Sequence, residues 1–99
     1  MAKQRRPNAS TLKEWAQGFS LLSDKTRLGI LAELSKGSSN VGGLCKALKL
    51  KQPTISHHLG LLRMGRLVNG QRRGRSVIYA ADKKALKELQ AAVGKLTRK

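Results

Sequence analysis

The segment Gln52-Pro53-Thr54-Ile55-Ser56-His57-His58-Leu59-Gly60-Leu61-Leu62-Arg63 constrains the fold of this chain more than any other. Ile55, Leu59 and Leu62 fall at i, i+4 and i+7, so a helix made from it carries one apolar ridge. At about 100° per residue, Pro53, His57 and Gly60 point the opposite way, with Thr54 and Ser56 on the flanks. A solvated surface helix more often fills that side with Glu, Lys and Gln. Here the side chains are short and polar, and the segment contains no acid. Such a face lets a helix approach the floor of the DNA major groove and touch base edges.

The residues in front of this helix supply a companion for it. Ser38-Ser39-Asn40 makes a short turn, and Asn40 can cap a helix running through Leu44, Ala47 and Leu48. Gly42 and Gly43 weaken that helix intrinsically, so packing must hold it. Lys49-Leu50-Lys51 then leads straight into Gln52. Two short helices joined by three or four residues form a helix-turn-helix.

Three further helices are expected. Thr11 with Glu14 three positions later reads as a capping box, opening a helix to about Leu22. Ser23 can cap a second helix carrying Leu28, Ile30, Leu31 and Leu34, with Asp24 near its N-terminus and Gly37 at its C-terminal cap. Asp82 caps a final helix to about Leu96. Between the helices, Leu67-Val68-Asn69-Gly70-Gln71 and Ser76-Val77-Ile78-Tyr79-Ala80 are two β-prone runs around Arg72-Arg73-Gly74-Arg75. Asn69-Gly70 is itself a hairpin signal, but a turn near Gly74 leaves strands of matching length. The expectation is a mostly α fold: about five helices plus a small two-stranded hairpin with a basic tip. Met1 to Asn8 (residues 1–8), with Lys3, Arg5 and Arg6, is expected to be a basic flexible arm, and residues 9–97 one DNA-binding and dimerisation domain.

Charge narrows the partner. The 99 residues hold 21 Lys and Arg against 5 Asp and Glu, a formal charge of +16. That imbalance costs self-repulsion in the folded state, and a polyanion is its natural counterpart. An anionic membrane is disfavoured, because no amphipathic stretch combines Lys and Arg with exposed Trp and Phe. No apolar run reaches the ~20 residues of a membrane span, and the N-terminus lacks the apolar centre of a signal peptide. The single Cys excludes an intrachain disulfide framework and suits a reducing cytosol. A cytoplasmic, nucleoid-associated protein is therefore expected.

Affinity for duplex DNA should come mostly from phosphate neutralisation. Arg72, Arg73 and Arg75 are candidates to grip phosphate or enter a narrow minor groove; the bland alternative is three solvated loop arginines. Lys49, Lys51 and Arg63 can hold the flanking backbone. Lys51 also occupies the N-cap position of the opening helix, so a phosphate can take the uncapped amides instead. Base reading would fall to Gln52, Thr54, Ser56 and His57. His58 lies nearer the apolar ridge and reads as a half-buried, hydrogen-bonded histidine.

Leu12, Trp15, Phe19 and Leu22 on the first helix keep 3-4-3 spacing, as do Leu86, Leu89, Val93 and Leu96 on the last. Two such seams exceed what a small core covers. They predict a symmetric homodimer whose interface includes Leu12, Trp15, Phe19, Leu86, Leu89, Val93 and Leu96. Ordinary packing within one chain is the alternative. A dimer would set two reading helices about 34 Å apart, facing an inverted-repeat site.

The runs Leu22-Ser23-Asp24-Lys25-Thr26-Arg27-Leu28-Gly29-Ile30-Leu31, Val41-Gly42-Gly43-Leu44, Thr54-Ile55-Ser56-His57-His58-Leu59 and Gly74-Arg75-Ser76-Val77-Ile78-Tyr79 resemble the ArsR/SmtB family of winged helix-turn-helix repressors. The resemblance extends from about Phe19 to Asp82. It implies a homodimer that binds an operator and releases it when a ligand arrives, with the first and last helices forming the interface. Many relatives sense metals, and there the pattern departs. Where arsenic- and cadmium-type sensors carry a Cys-x-Cys pair, this chain has Ser39-Asn40-Val41-Gly42. Where zinc- and nickel-type sensors carry Asp-x-His and later ligands, it has Asp82-Lys83-Lys84 with no histidine after. Transition metals require several converging N or S ligands, so no metal and no cofactor is expected, and the effector is unknown. Cys45, beside Leu44, Ala47 and Leu48, reads as a buried structural thiol rather than a redox sensor. Gly60 departs too, since relatives often place Lys or Arg there.

A sequence-specific repressor is thus the leading expectation. A nonspecific architectural DNA-binding protein is the alternative that charge alone would support, and a regulator acting through a protein partner is a third class. An enzyme is not expected: Ser56, His57 and Asp24 lack any recognisable oxyanion loop, nucleophile elbow or metal cluster around them.

Overall fold

The computed structural model describes residues 6–97. Along the chain run α1 (Ala9–Leu22), α2 (Lys25–Lys36), α3 (Val41–Leu48), α4 (Gln52–Met64), β1 (Val68–Arg73), β2 (Ser76–Ala81) and α5 (Lys83–Leu96). The basic arm expected over Lys3 and Arg5 lies outside the described residues.

Four of these helices open on an Asn or Asp side chain that accepts a first-turn amide. Asn8 Oδ1 takes the Thr11 N–H at 2.8 Å, Asp24 Oδ2 that of Arg27 at 3.0 Å, Asn40 Oδ1 that of Gly43 at 2.8 Å, and Asp82 Oδ1 that of Ala85 at 3.0 Å. Two caps differ from the expected ones. α1 begins two residues before Thr11, so the Thr11–Glu14 capping box is not its start, and Asn8 in an extended conformation is its N-cap. α2 is capped by Asp24 and not Ser23, whose hydroxyl bonds back to the Ser20 carbonyl at 2.8 Å. In both places two good capping residues stand close together, and the local sequence does not choose between them.

The core lies where α2, α3 and α4 meet. Ile30, Leu44, Ile55, Leu59 and Leu62 are almost wholly buried, joined by Leu31, Leu34, Leu67, Val68 and Leu89. Fully burying a side chain of this size contributes about 1.5–3 kcal/mol, which holds α3 despite its paired glycines.

β1 and β2 form an antiparallel ribbon with Val68 opposite Ala81, Gly70 opposite Tyr79 and Arg73 opposite Ser76. Gly74 and Arg75 make the turn. Gly74 has φ +62 and Arg75 is not left-handed, the pattern of a turn with glycine first. Asn69-Gly70 lies inside β1 for a steric reason: a Cβ on Gly70 would stand 2.9 Å from Val77 Cγ1 and 3.1 Å from Tyr79 Cε1. Glycine there makes room for side chains across the ribbon. The ribbon is pinned at its base by the Asp82 N–H on the Leu67 carbonyl at 2.8 Å. Ser39 and Tyr79 exchange backbone hydrogen bonds of 3.0 and 2.7 Å, adding a single bridge on the far side of β2.

Candidate nucleic-acid interface

α4 buries Ile55, Leu59 and Leu62 and thereby turns Gln52, Thr54, Ser56, His57, Gly60 and Arg63 to solvent. The ridge at i, i+4 and i+7 sets which side of the helix turns inward. An ideal Cβ on Gly60 meets nothing within 4 Å, so this point of the face is bare backbone. Lys51 stands at the N-cap in an extended conformation with no side-chain hydrogen bond, and Pro53 occupies the first turn. α4 is the one described helix whose leading amides have no side-chain acceptor.

The turn before α4 is made by Lys49, which adopts a left-handed conformation (φ 57, ψ 45) and closes α3 through its N–H on the Cys45 carbonyl. A non-glycine residue costs roughly 1–2 kcal/mol there. Lys49 and Lys51 are both exposed beside the start of α4. Cys45 is half-buried and packs against the core.

The hairpin carries Arg72, Arg73 and Arg75, all exposed. The structure divides them more than their spacing suggests. Arg72 and Arg73 are consecutive strand residues, paired with Val77 and Ser76, so they leave the ribbon on opposite faces. Arg72 shares its face with Gly70 and the buried Val68, whereas Arg73 shares its face with the exposed Asn69 and Gln71. Only Arg75 belongs to the turn.

No Asp or Glu occurs between Glu33 and Asp82, so α3, α4 and the hairpin form one continuous acid-free stretch. Asp24 and Asp82 serve as helix caps and Glu33 pairs with Lys36 at 3.1 Å. Glu14 and Glu88 lie along an open groove between α1 and α5.

His58 is half-buried and hydrogen-bonded. Its Nδ1 lies 3.1 Å from Nη1 of Arg27 and 3.9 Å from Oδ2 of Asp24. The Arg27 amide on its carboxylate holds Asp24 below the usual carboxylate range, and the Arg27 guanidinium acts in the same direction. Sequence reasoning did not single out Arg27; nothing in its spacing announces a contact 31 residues away. Arg66, left-handed at φ 64 in the turn after α4, is likewise exposed and was missed.

The seam residues divide. Leu89 is 8% exposed inside the protomer's own core, and Phe19 and Leu86 are half-buried against it. These three are largely used within the chain, because α1 and α5 pack on each other. Leu12, Val93 and Leu96 remain 50%, 47% and 66% exposed, and Met64 at the end of α4 reaches 81%. Trp15 is half-buried, with Lys95 Nζ 5.9 Å from its ring centroid. Among the described residues, no three His, Cys, Asp or Glu side chains converge, and no helix is long and apolar enough to cross a membrane.

Comparison with known proteins places this architecture. The pattern defining the bacterial regulatory proteins of the arsR family matches residues 24–69. The arsenical resistance operon repressor of Escherichia coli (strain K12) is 47% identical over 64 residues, covering 64% of this chain and 55% of that protein. The transcriptional repressor SdpR of Bacillus subtilis is 30% identical over 70 residues, covering 71% and 78% respectively. The chain thus spans about half the length of some curated relatives and most of others. Among solved structures, an ArsR-like transcriptional regulator from Rhodococcus superposes with a TM-score of 0.83 at 29% identity, over 91% of this chain and 83% of that one. A winged helix-turn-helix DNA-binding domain from Mycobacterium bovis, described as homodimeric, gives 0.76 at 29% identity, over 97% and 89%.

Proposed function

The chain belongs to the arsR family of bacterial regulatory proteins and has its winged helix-turn-helix fold, and on that premise we propose that it is a sequence-specific, double-stranded DNA-binding repressor acting as a homodimer. α4 enters the major groove of each half of an inverted repeat, with the hairpin as the wing on the flanking backbone or minor groove. The observation that carries this reading is the face of α4. Its apolar ridge is wholly buried, and from Gln52 to Arg63 what remains outward is acid-free, mostly polar and bare at Gly60.

In this reading Gln52, Thr54, Ser56 and His57 meet base edges, because their short or amide side chains exchange hydrogen bonds in the major groove. Lys49, Lys51, Arg63, Arg72, Arg73 and Arg75 meet phosphates, each contact steepening the log–log salt dependence by about 0.9. Leu12, Trp15, Val93 and Leu96 continue across a two-fold axis onto their copies, placing the two α4 helices about one helical turn of DNA apart. The arsenical named for the Escherichia coli relative is not carried over. In the stretch Ser39–Gly42, which corresponds to the sensors' sulfur-ligand segment, Ser39 pairs with β2 and Asn40 caps α3, and the stretch contains no cysteine.

The charge of +16 favours a second reading, a nonspecific architectural protein. Selection of bound fragments from genomic DNA, followed by competition with a scrambled duplex, decides between them. The repressor reading expects a preference of about a thousandfold or more for an inverted repeat. Equal competition would establish the architectural one.

A further inference from the structure

Arg27 stands where three helices meet. Its Nε donates to the Leu21 carbonyl at 2.8 Å and its Nη2 to the Ser20 carbonyl at 3.3 Å. The guanidinium therefore rests on the last turn of α1, where carbonyl oxygens and the negative end of the helix dipole favour a cation. Its Nη1 reaches His58 Nδ1, in the middle of α4, at 3.1 Å. A guanidinium has donors and no acceptor, so Nδ1 must accept, which places the proton of the neutral ring on Nε2. Asp24 from the start of α2 stands 3.9 Å from the same nitrogen, and the His57 ring lies edge-on with centroids 5.1 Å apart.

We propose that Arg27 is a positioning residue for DNA recognition, fixing α4 against α1 through His58 without touching DNA itself; this rests on the reading of α4 as the recognition helix. The apolar contacts under α4 are non-directional and tolerate a small roll or slide of the helix. Among the described residues, the Arg27–His58 contact is the one side-chain hydrogen bond joining α4 to another element. Base-edge hydrogen bonds weaken steeply once distance or angle departs from ideal. Lysine and arginine reaching phosphates follow a displaced backbone on flexible stems. Losing the tie therefore removes discrimination between sequences and spares general affinity.

The test uses two probes: the tightest duplex that the unaltered protein selects from genomic fragments, and a scrambled duplex of equal length and composition. Arg27→Gln is expected to lower the ratio of the two affinities about tenfold, the scale of one hydrogen bond to a charged group. Its salt slope on the scrambled duplex should stay unchanged. A slope reduced by about 0.9 would make Arg27 a phosphate contact and overturn the proposal. His58→Asn retains an acceptor at the Nδ1 position and should keep the ratio, whereas His58→Leu should lose as much as Arg27→Gln. Combining Arg27→Gln with His58→Leu should be no worse than either alone. Additive losses, or equal losses for His58→Asn and His58→Leu, overturn the assignment, and the two His58 variants carry the test if Arg27→Gln does not fold. If the unaltered protein shows no preference between the probes, the recognition-helix reading fails first and this inference with it.

Discussion

The face of α4 and the face shared by α1 and α5 each leave much of a helix uncovered, but the chemistry left outside differs. α4 places every large apolar side chain of its ridge inward and shows Gln52, Thr54, Ser56 and His57 outward. α1 and α5 do the reverse in part. Leu89 goes into the core, while Leu12, Val93 and Leu96 stay about half exposed or more. A polar, acid-free face asks for a partner of opposite charge, and that demand is visible in the residue types. An apolar face asks only to leave water, and its own chain or a second copy satisfies it equally well.

Five substitutions break or sharpen this contrast. The largest effect belongs to Leu89→Ala, which removes a core side chain and should cost about 2–5 kcal/mol in denaturant unfolding. A cost near zero would return Leu89 to the outer face. Val93→Asp follows: at 47% exposure it should leave the unfolding of the protomer nearly untouched while shifting sedimentation towards the monomer. An unchanged dimer would remove the α1–α5 face from the interface.

On the polar side, His57→Ala should lose about 1–3 kcal/mol of discrimination between a preferred and a scrambled duplex, the usual worth of a base contact. Arg73→Ala is its control, weakening both duplexes alike and lowering the salt slope by about 0.9. The opposite pattern would exchange the two roles. The smallest effect is a gain. Gly60→Lys adds a cation where nothing obstructs it and replaces a poor helix former. Affinity for every duplex should rise modestly with a slightly steeper salt slope, and weaker binding would show that the groove approaches the bare backbone at Gly60.

Much of the fold was legible because it rests on short-range patterns. The ends of α4 and α5, the caps Asn40 and Asp82 and the uncapped Lys51 all follow from spacing and residue type. Errors arose where two equivalent local signals stood near each other. Asn8 was chosen over Thr11, and Asp24 over Ser23. Matching strand lengths place the turn at Gly74 and not at Asn69-Gly70, but the reason for the glycine at 70, the side chains of Val77 and Tyr79 across the ribbon, is visible only in three dimensions. Of the candidate site residues, all ten proposed for DNA are exposed, but the arginines prove to be split between the two ribbon faces. Spacing along a chain does not reveal which face of a strand is outward until the strand's limits are known.

Residue order alone determined that α4 has one apolar side and one acid-free polar side, since that depends only on the helical repeat and the identity of its side chains. It also determined the partner's charge, because net charge is a property of composition. Tertiary structure alone decided that Leu89 serves the protomer's own core, and that Arg27 reaches across from α2 to hold both the end of α1 and His58. Those facts depend on which distant segments become neighbours, and an apolar residue or a long flexible arginine carries no local mark of the neighbour it will meet.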